Sequence, residues 1–175
     1  MERRIFEPEH DMFRATARRF FETECAPHAA EWERNGITAR APWLRAGELG
    51  LLGWEAPEKF GGQGVKDFRY NAIMTEEQQG TGTVGIGIGL QNDIMASYLV
   101  DLTTDEQKER WLPGYVSGEV ITAIACRLTW KLPIGLPNAL RSAAYCFVRS
   151  RARRDCATAW IAIPSRSAGR LRMRW

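Results

Sequence analysis

Asp105-Glu106-Gln107-Lys108-Glu109-Arg110-Trp111-Leu112-Pro113, continuing through Gly118-Glu119 to Val120-Ile121-Thr122-Ala123-Ile124-Ala125, contains two patterns in succession. Gln107, Trp111 and Tyr115 recur at four-residue steps, the spacing of one face of a helix that closes at Gly118. Val120 to Ala125 is apolar, partly β-branched and of strand length. Just upstream, Thr103-Thr104-Asp105-Glu106 predicts a capping box in which a threonine oxygen accepts from the Glu106 N–H and the glutamate reaches back. Just downstream the chain changes character. Residues 1–125 hold 13 Lys and Arg against 20 Asp and Glu, whereas residues 126–175 hold 11 against 1, together with Cys126, Cys146 and Cys156 out of four cysteines. One folded domain seldom shifts composition so abruptly, so the acidic head and the basic end are read separately.

Working back from the helix, Thr83 to Leu102 carries two periods. Val84, Ile86, Ile88 and Leu90 alternate with Gly85, Gly87 and Gly89 as a strand would, and Ile94, Met95, Tyr98 and Leu99 return to helical spacing. We read one glycine-rich helix whose bare surface lets another group approach its backbone. A helix is expected from Asp67 to about Gln79, burying Phe68, Ala72 and Ile73. Pro57-Glu58-Lys59-Phe60-Gly61-Gly62-Gln63-Gly64 is a loop, since its glycines accept positive φ and carry little apolar surface. Pro42 to Leu51 fits a short helix with proline in its first turn. Glu9 to Trp32 is amphipathic, with Pro27 expected to interrupt it and Asn35-Gly36 to close it. The head is therefore an all-α domain of five or six helices that ends in a short strand.

Other signals lead to bland readings. Gly80-Thr81-Gly82-Thr83-Val84-Gly85 matches the dinucleotide-binding pattern Gly-x-Gly-x-x-Gly, but a helix rather than a buried strand precedes it. Cys25 and His28 could ligate a metal, yet a site needs three or four ligands and the other histidine is His10, so a core thiol and a surface imidazole are expected and no metal is assigned. Glu76-Glu77 point apart on a helix and are read as solvated. Met1-Glu2-Arg3-Arg4-Ile5-Phe6-Glu7 turns acidic at once, and no run of about 18 apolar residues occurs. A cytoplasmic protein with reduced thiols and no membrane insertion is the expectation.

The wording of four segments narrows the head further. Gly50-Leu51-Leu52-Gly53 with Pro57–Gly64, then Asp105–Pro113, Gly118-Glu119 and Ile121–Ala125 together resemble the acyl-CoA dehydrogenases over residues 5 to 125, the amino-terminal helical domain of that family. The resemblance implies FAD-dependent α,β-dehydrogenation of acyl-CoA thioesters: a carboxylate removes the α proton while the β hydrogen leaves as hydride to flavin N5. It also implies homo-oligomers and an electron-transferring flavoprotein as acceptor. It places Ile86, Gly87 and Leu90 on the wall of the acyl-chain cavity, with helix–helix packing as the competing role. It places Ile124, Ala125 and Cys126 on the strand that passes the flavin. The family's next phrase would be Met-Thr-Glu-Pro-Gly-Ala-Gly-Ser-Asp, and this chain reads Cys126-Arg127-Leu128-Thr129-Trp130-Lys131 instead. Arg127 replaces a threonine hydroxyl that contacts the flavin, so FAD binding by this chain alone is not expected. The family's catalytic glutamate belongs to a later helical bundle. No catalytic residue is therefore assigned, and the chain is expected to be a truncated, inactive member.

Residues 126–175 are expected to be a basic tail without regular structure. Arg149-Ser150-Arg151-Ala152-Arg153-Arg154 and Arg166 to Arg174, with Trp130, Tyr145, Trp160 and Trp175 between, suit a nucleic-acid-binding appendage in which arginines meet phosphates and aromatics stack on bases. A non-enzymatic interaction module is thus the alternative function. Ala143–Val148 and Trp160–Ile163 are more apolar than such an arm needs. The mixture of Arg, Ala, Pro, Ser and Cys, almost without acids, is what a shifted reading frame in a GC-rich gene produces, and that is the reading we prefer.

Overall fold

The computed structural model describes residues 4–83, 85–126, 144–150 and 159–163, with side chains described up to residue 123. Helix α1, Pro8–Phe20, has its proline in the first turn, where the missing N–H has no helical partner to lose. Beyond α1 the helix is interrupted near Pro27, as expected. Pro27 has no N–H for a carbonyl one turn back, so the regular ladder cannot pass through it. The chain widens into a π turn at Phe21–Cys25, tightens into a 3-10 turn at Ala26–His28, and resumes as α2, Ala29–Asn35. Gly36 closes α2 at φ +63°.

Helix α3, Ala41–Glu48, turns Trp43 and Ala46 inward. The loop over residues 57–64 holds one 3-10 turn, Glu58–Phe60. Helix α4, Phe68–Gly80, is capped by Asp67, whose carboxylate accepts from the Arg69 N–H at 2.9 Å. Contrary to the expectation that it is buried, Phe68 is 70% exposed. The inward face of α4 instead combines Ile73 and Met74 with the polar Asn71, Glu77 and Gln78, so the hydrophobic period misplaces the first turn. Phe13 of α1 meets Tyr70 of α4 edge to face at 4.9 Å.

The glycine-rich stretch departs from the single helix expected over residues 83–102. Helical backbone begins only at Ile88; a π turn spans Leu90–Met95 and α5 runs Ala96–Asp101. Each glycine in a helix interior costs about 1 kcal/mol relative to alanine, and three of them crowd residues 85–89. The Gln78 amide also takes up backbone carbonyls here, donating to Thr83 at 3.0 Å and to Ile86 at 2.7 Å.

Helix α6, Asp105–Val116, is opened by a capping box one residue later than expected. Gln107 N–H donates to Thr104 Oγ1 at 3.3 Å, and Thr104 N–H donates to Gln107 Oε1 at 3.0 Å. The Thr103 hydroxyl has a different task, donating to the Leu99 carbonyl at the end of α5. Thr104→Ala is expected to destabilise the chain by about 1 kcal/mol, read from its urea midpoint. An unchanged midpoint would show that the cap contributes nothing.

Strand β1, Val120–Cys126, begins where the sequence predicts it. The basic end, expected to be irregular, contains β2, Ala144–Ser150, and β3, Ala159–Ile163, in a sheet of order β1-β2-β3. Strands β2 and β3 are antiparallel, with Tyr145 opposite Ala162 and Phe147 opposite Trp160. These are the segments of the basic end where aromatic and β-branched residues concentrate. Arg151–Arg154, Arg166–Arg174, Trp130 and Trp175 lie outside the described residues. The chain divides into two compact units, Met1–Val120 and Ile121–Trp175. Phe20, Phe21, Leu51, Ile73, Leu99 and Leu112 are among the fully buried side chains of the first. Among the described residues no helix is long and apolar enough to cross a membrane.

Candidate functional site

The segment that connects α4 to α5 holds the three residues expected on an acyl-facing wall. Their environments differ. Ile86 is fully buried, while Gly87 is exposed and Leu90 is 37% exposed. Among the described residues, a Cβ added at Gly85 or Gly87 would meet nothing within 4 Å, so this backbone is open to an approaching group. Leu90, Ile94 and Leu102 continue the exposure along the π turn and α5, at multiples of four residues. This stripe is an apolar face left open in the first unit. A cavity of about 410 Å³ lies beside the glycine-rich segment, walled by Trp32, Ile37 and Thr38 on one side and Gly82, Thr83 and Gly85 on the other. Its lining stops one residue short of Ile86.

The π turn is held by two consecutive buried amides. Asn92 donates to the Leu51 carbonyl at 3.0 Å and accepts from the Gly53 N–H at 3.1 Å. Gln91 donates to the Val120 carbonyl at 3.0 Å, and its own carbonyl accepts from the Tyr115 hydroxyl. A π turn is an insertion that breaks the regular ladder, and such turns are frequent at functional sites. Sequence reasoning misses both amides. The available signal is two polar residues set between apolar Leu90 and Ile94 where a simple helix would alternate faces.

Ile124, Ala125 and Cys126 lie in β1, where their backbone is described. In the order β1-β2-β3, β1 is an edge strand among the described residues, so one side of its backbone N–H and C=O groups is not taken up by a neighbouring strand. That suits a planar group recognised through backbone atoms. The threonine hydroxyl expected next in such a site has no counterpart, since position 127 is arginine.

One titratable residue, Asp93, lies in the π turn itself, where it accepts from the Asn71 amide at 2.7 Å and burial raises its pKa. Others are engaged elsewhere. Glu76 and Glu77, expected to be solvated, form a network with α1: Arg14 donates to Glu76 at 2.7 Å and to Glu77 at 2.8 Å, and Arg18 donates to Glu77 at 2.7 Å. Burial alone would raise the Glu77 pKa, but the hydrogen bonds from Arg18 and Arg14 prevail and hold it below the usual carboxylate range. Asp67 is held low chiefly by the Arg69 guanidinium. Glu7, Glu9 and His10 place ligand-type atoms within 4.8 Å of one another. There, however, His10 Nδ1 accepts from the Glu7 N–H, and Arg69 brings positive charge to within 3.6 Å of Glu7. Cys25 is buried and His28 exposed, as expected, and burial pushes the Cys25 thiol up to about 12. It is not a nucleophile at neutral pH.

Comparison with known proteins places this architecture. Residues 7–119 match the model of the acyl-CoA dehydrogenase N-terminal domain. The chain is 43% identical over 123 residues to the mitochondrial long-chain specific acyl-CoA dehydrogenase of Mus musculus, covering 70% of this chain and 28% of that protein. It is 36% identical over 121 residues to a probable acyl-CoA dehydrogenase of Bacillus subtilis, covering 69% of this chain and 20% of the latter. The crystal structure of an acyl-CoA dehydrogenase from Geobacillus kaustophilus superposes with a TM-score of 0.64 at 36% identity, over 85% of this chain and 40% of that one. A glutaryl-CoA dehydrogenase from Mycobacterium smegmatis in complex with FADH2 shares the fold, with a TM-score of 0.62 at 18% identity, over 84% of this chain and 39% of that one. The chain spans less than a third of the length of these mouse and Bacillus relatives. It belongs to the acyl-CoA dehydrogenase family, and residues 7–119 are that family's N-terminal domain.

Proposed function

We propose that this chain supplies the amino-terminal helical domain for FAD-dependent dehydrogenation of acyl-CoA thioesters, with residues 1–125 as the functional unit and residues 126–175 as a replaced, frame-shifted end. The observation that carries the reading is the family match across residues 7–119, which includes the glycine-rich segment and ends just before β1. In this reading Gly87 and Leu90, with Ile86 behind them, form part of the wall against an acyl chain. The apolar stripe of Leu90, Ile94 and Leu102 excludes water from it. The backbone of Ile124, Ala125 and Cys126 would hold FAD, which supplies the hydride acceptor when bound. The position of β1 at the edge of the sheet among the described residues supports this, and Arg127 weakens it. No residue of this sequence is assigned as the base, so the chain alone is inactive. Acyl-CoA, an electron-transferring flavoprotein and further copies of the enzyme are the partners that the family suggests. A cytoplasmic location, the expectation from the sequence, is kept as part of this proposal, although the matched relatives in mouse and pig are mitochondrial.

Absorption spectroscopy of the purified chain mixed with FAD and then with an acyl-CoA tests this. The expected result is at most weak flavin retention and no bleaching. Bleaching would overturn the assignment of inactivity. Colourless protein with salt-sensitive nucleic-acid binding would favour the alternative, an interaction module with an arginine-rich end.

A further inference from the structure

We propose that Gln91 is a positioning residue that sets where strand β1 begins. Gln91 is fully buried in the π turn, yet it is not packed as an apolar side chain would be; its Nε2 donates to the carbonyl of Val120, the first residue of β1, at 3.0 Å. The turn that carries it is itself pinned. The Tyr115 hydroxyl donates to the Gln91 carbonyl, and the neighbouring Asn92 spans Leu51 and Gly53. Val120 is held from a second direction, because a Cβ at Gly114 of α6 would come within 2.7 Å of Val120 Cγ2. Gly114 therefore admits the valine side chain while Gln91 engages its carbonyl. One contact limits how closely the residue approaches α6, and the other selects which backbone oxygen faces the π turn.

The consequence for β1 comes from strand geometry. Side chains alternate sides with a period of two, so a slip of one residue at Val120 would turn every later side chain to the opposite face. A carbonyl held at the first residue opposes that slip. Its relevance to flavin binding rests on the proposed function, since Ile124, Ala125 and Cys126 are carried on the same strand. The positioning role itself needs only the geometry around Val120. Leu90 precedes Gln91 directly, so the residue proposed to face an acyl chain and the residue that holds the first carbonyl of β1 share one pinned turn.

Hydrogen exchange of the backbone amides, on the full chain and without flavin, tests the proposal. In Gln91→Met, which keeps volume and removes the donor, amides of residues 121–126 are expected to exchange at least about tenfold faster, while those of α1 and α4 change less than about twofold. Equal acceleration across β1, α1 and α4 would overturn it, since that is what loss of general core packing produces, and so would unchanged exchange in β1. Gln91→Glu supplies the second arm. A protonated carboxyl can donate to the Val120 carbonyl and an ionised one cannot. Asp93, two residues away in the same turn, is the native titratable neighbour; burial raises its pKa and the hydrogen bond from Asn71 opposes that rise. Protection of β1, corrected for intrinsic rates, should therefore fall more steeply in Gln91→Glu than in wild type as pH rises through the titration of the introduced group. A pH-independent profile in Gln91→Glu, or loss of cooperative folding in both variants, would also overturn the assignment. A chain that never binds FAD would sink the functional reading and leave this measurement unaffected.

Discussion

Gly118→Ala is expected to destabilise the first unit by about 2–5 kcal/mol, combining left-handed backbone strain of about 1–2 kcal/mol with overpacking of about 1–3 kcal/mol. Gly118 adopts φ +76° in the turn between α6 and β1. A Cβ at that position would collide with the carbonyl oxygen of Trp43 and come within 3.2 Å of the Leu44 nitrogen. These are backbone atoms in α3, which cannot rotate away as a side chain does. The same approach is visible from the other partner, where a Cβ at Gly47 would meet the carbonyl of Ser117. Two glycines therefore let α3 and the turn before β1 touch backbone to backbone. Gly36→Ala is the internal control, because Gly36 has φ +63° but no described residue within 4 Å of an added Cβ. It should show the conformational part alone, about 1–2 kcal/mol. Urea midpoints of the two variants separate the contributions. Equal losses would mean that the close approach carries no energy.

Glu77→Ala is expected to cost about 2–3 kcal/mol at pH 7, since hydrogen bonds to a charged group contribute about 1.5–3 kcal/mol and screening by solvent reduces the share of Arg18. The Glu77 side chain is 7% exposed, Arg14 20% and Arg18 56%. Removing the carboxylate leaves Arg14 with Glu76 and leaves Arg18 facing water. The effect has a definite pH signature. The folded-state pKa of Glu77 lies below its unfolded value of about 4.3, so its stabilisation is complete above that pH and is lost as pH falls through the folded value. The variant has no such group. Stability curves of wild type and Glu77→Ala should therefore converge in acid and stand furthest apart near neutrality. A gap that is constant with pH would assign the loss to packing instead.

The network at Glu77 also shows where sequence reading stops. Glu76-Glu77 looks solvated on one helix taken alone; only the approach of α1 brings two arginines to meet it. Phe68 fails for the complementary reason. Its aromatic character argues for burial, but the inward face of α4 is partly polar, with Glu77 and Gln78 hydrogen-bonded to other segments. The capping box moves by one residue because Thr103 and Thr104 are chemically alike, and the end of α5 decides which of them remains available. In the candidate site Gly87 and Leu90 are legible as an open, apolar segment. Gln91 and Asn92 are not, since an amide declares its role only through the distant carbonyl or N–H that it meets.

The amino-acid sequence by itself determined the family and several of the elements: Pro27 as the break in the first long helix, Gly36 as its stop, the helix over Asp105–Val116 and the strand after it. Those features depend on backbone freedom and on periods within a dozen residues, which local chemistry dictates. The tertiary structure alone decided which buried polar groups find partners, how closely α3 meets the turn at Gly118, and which group holds the first carbonyl of β1. These outcomes depend on atoms dozens of residues apart, and hydrogen bonds and steric contacts act only over a few ångströms of space, whatever the separation along the chain.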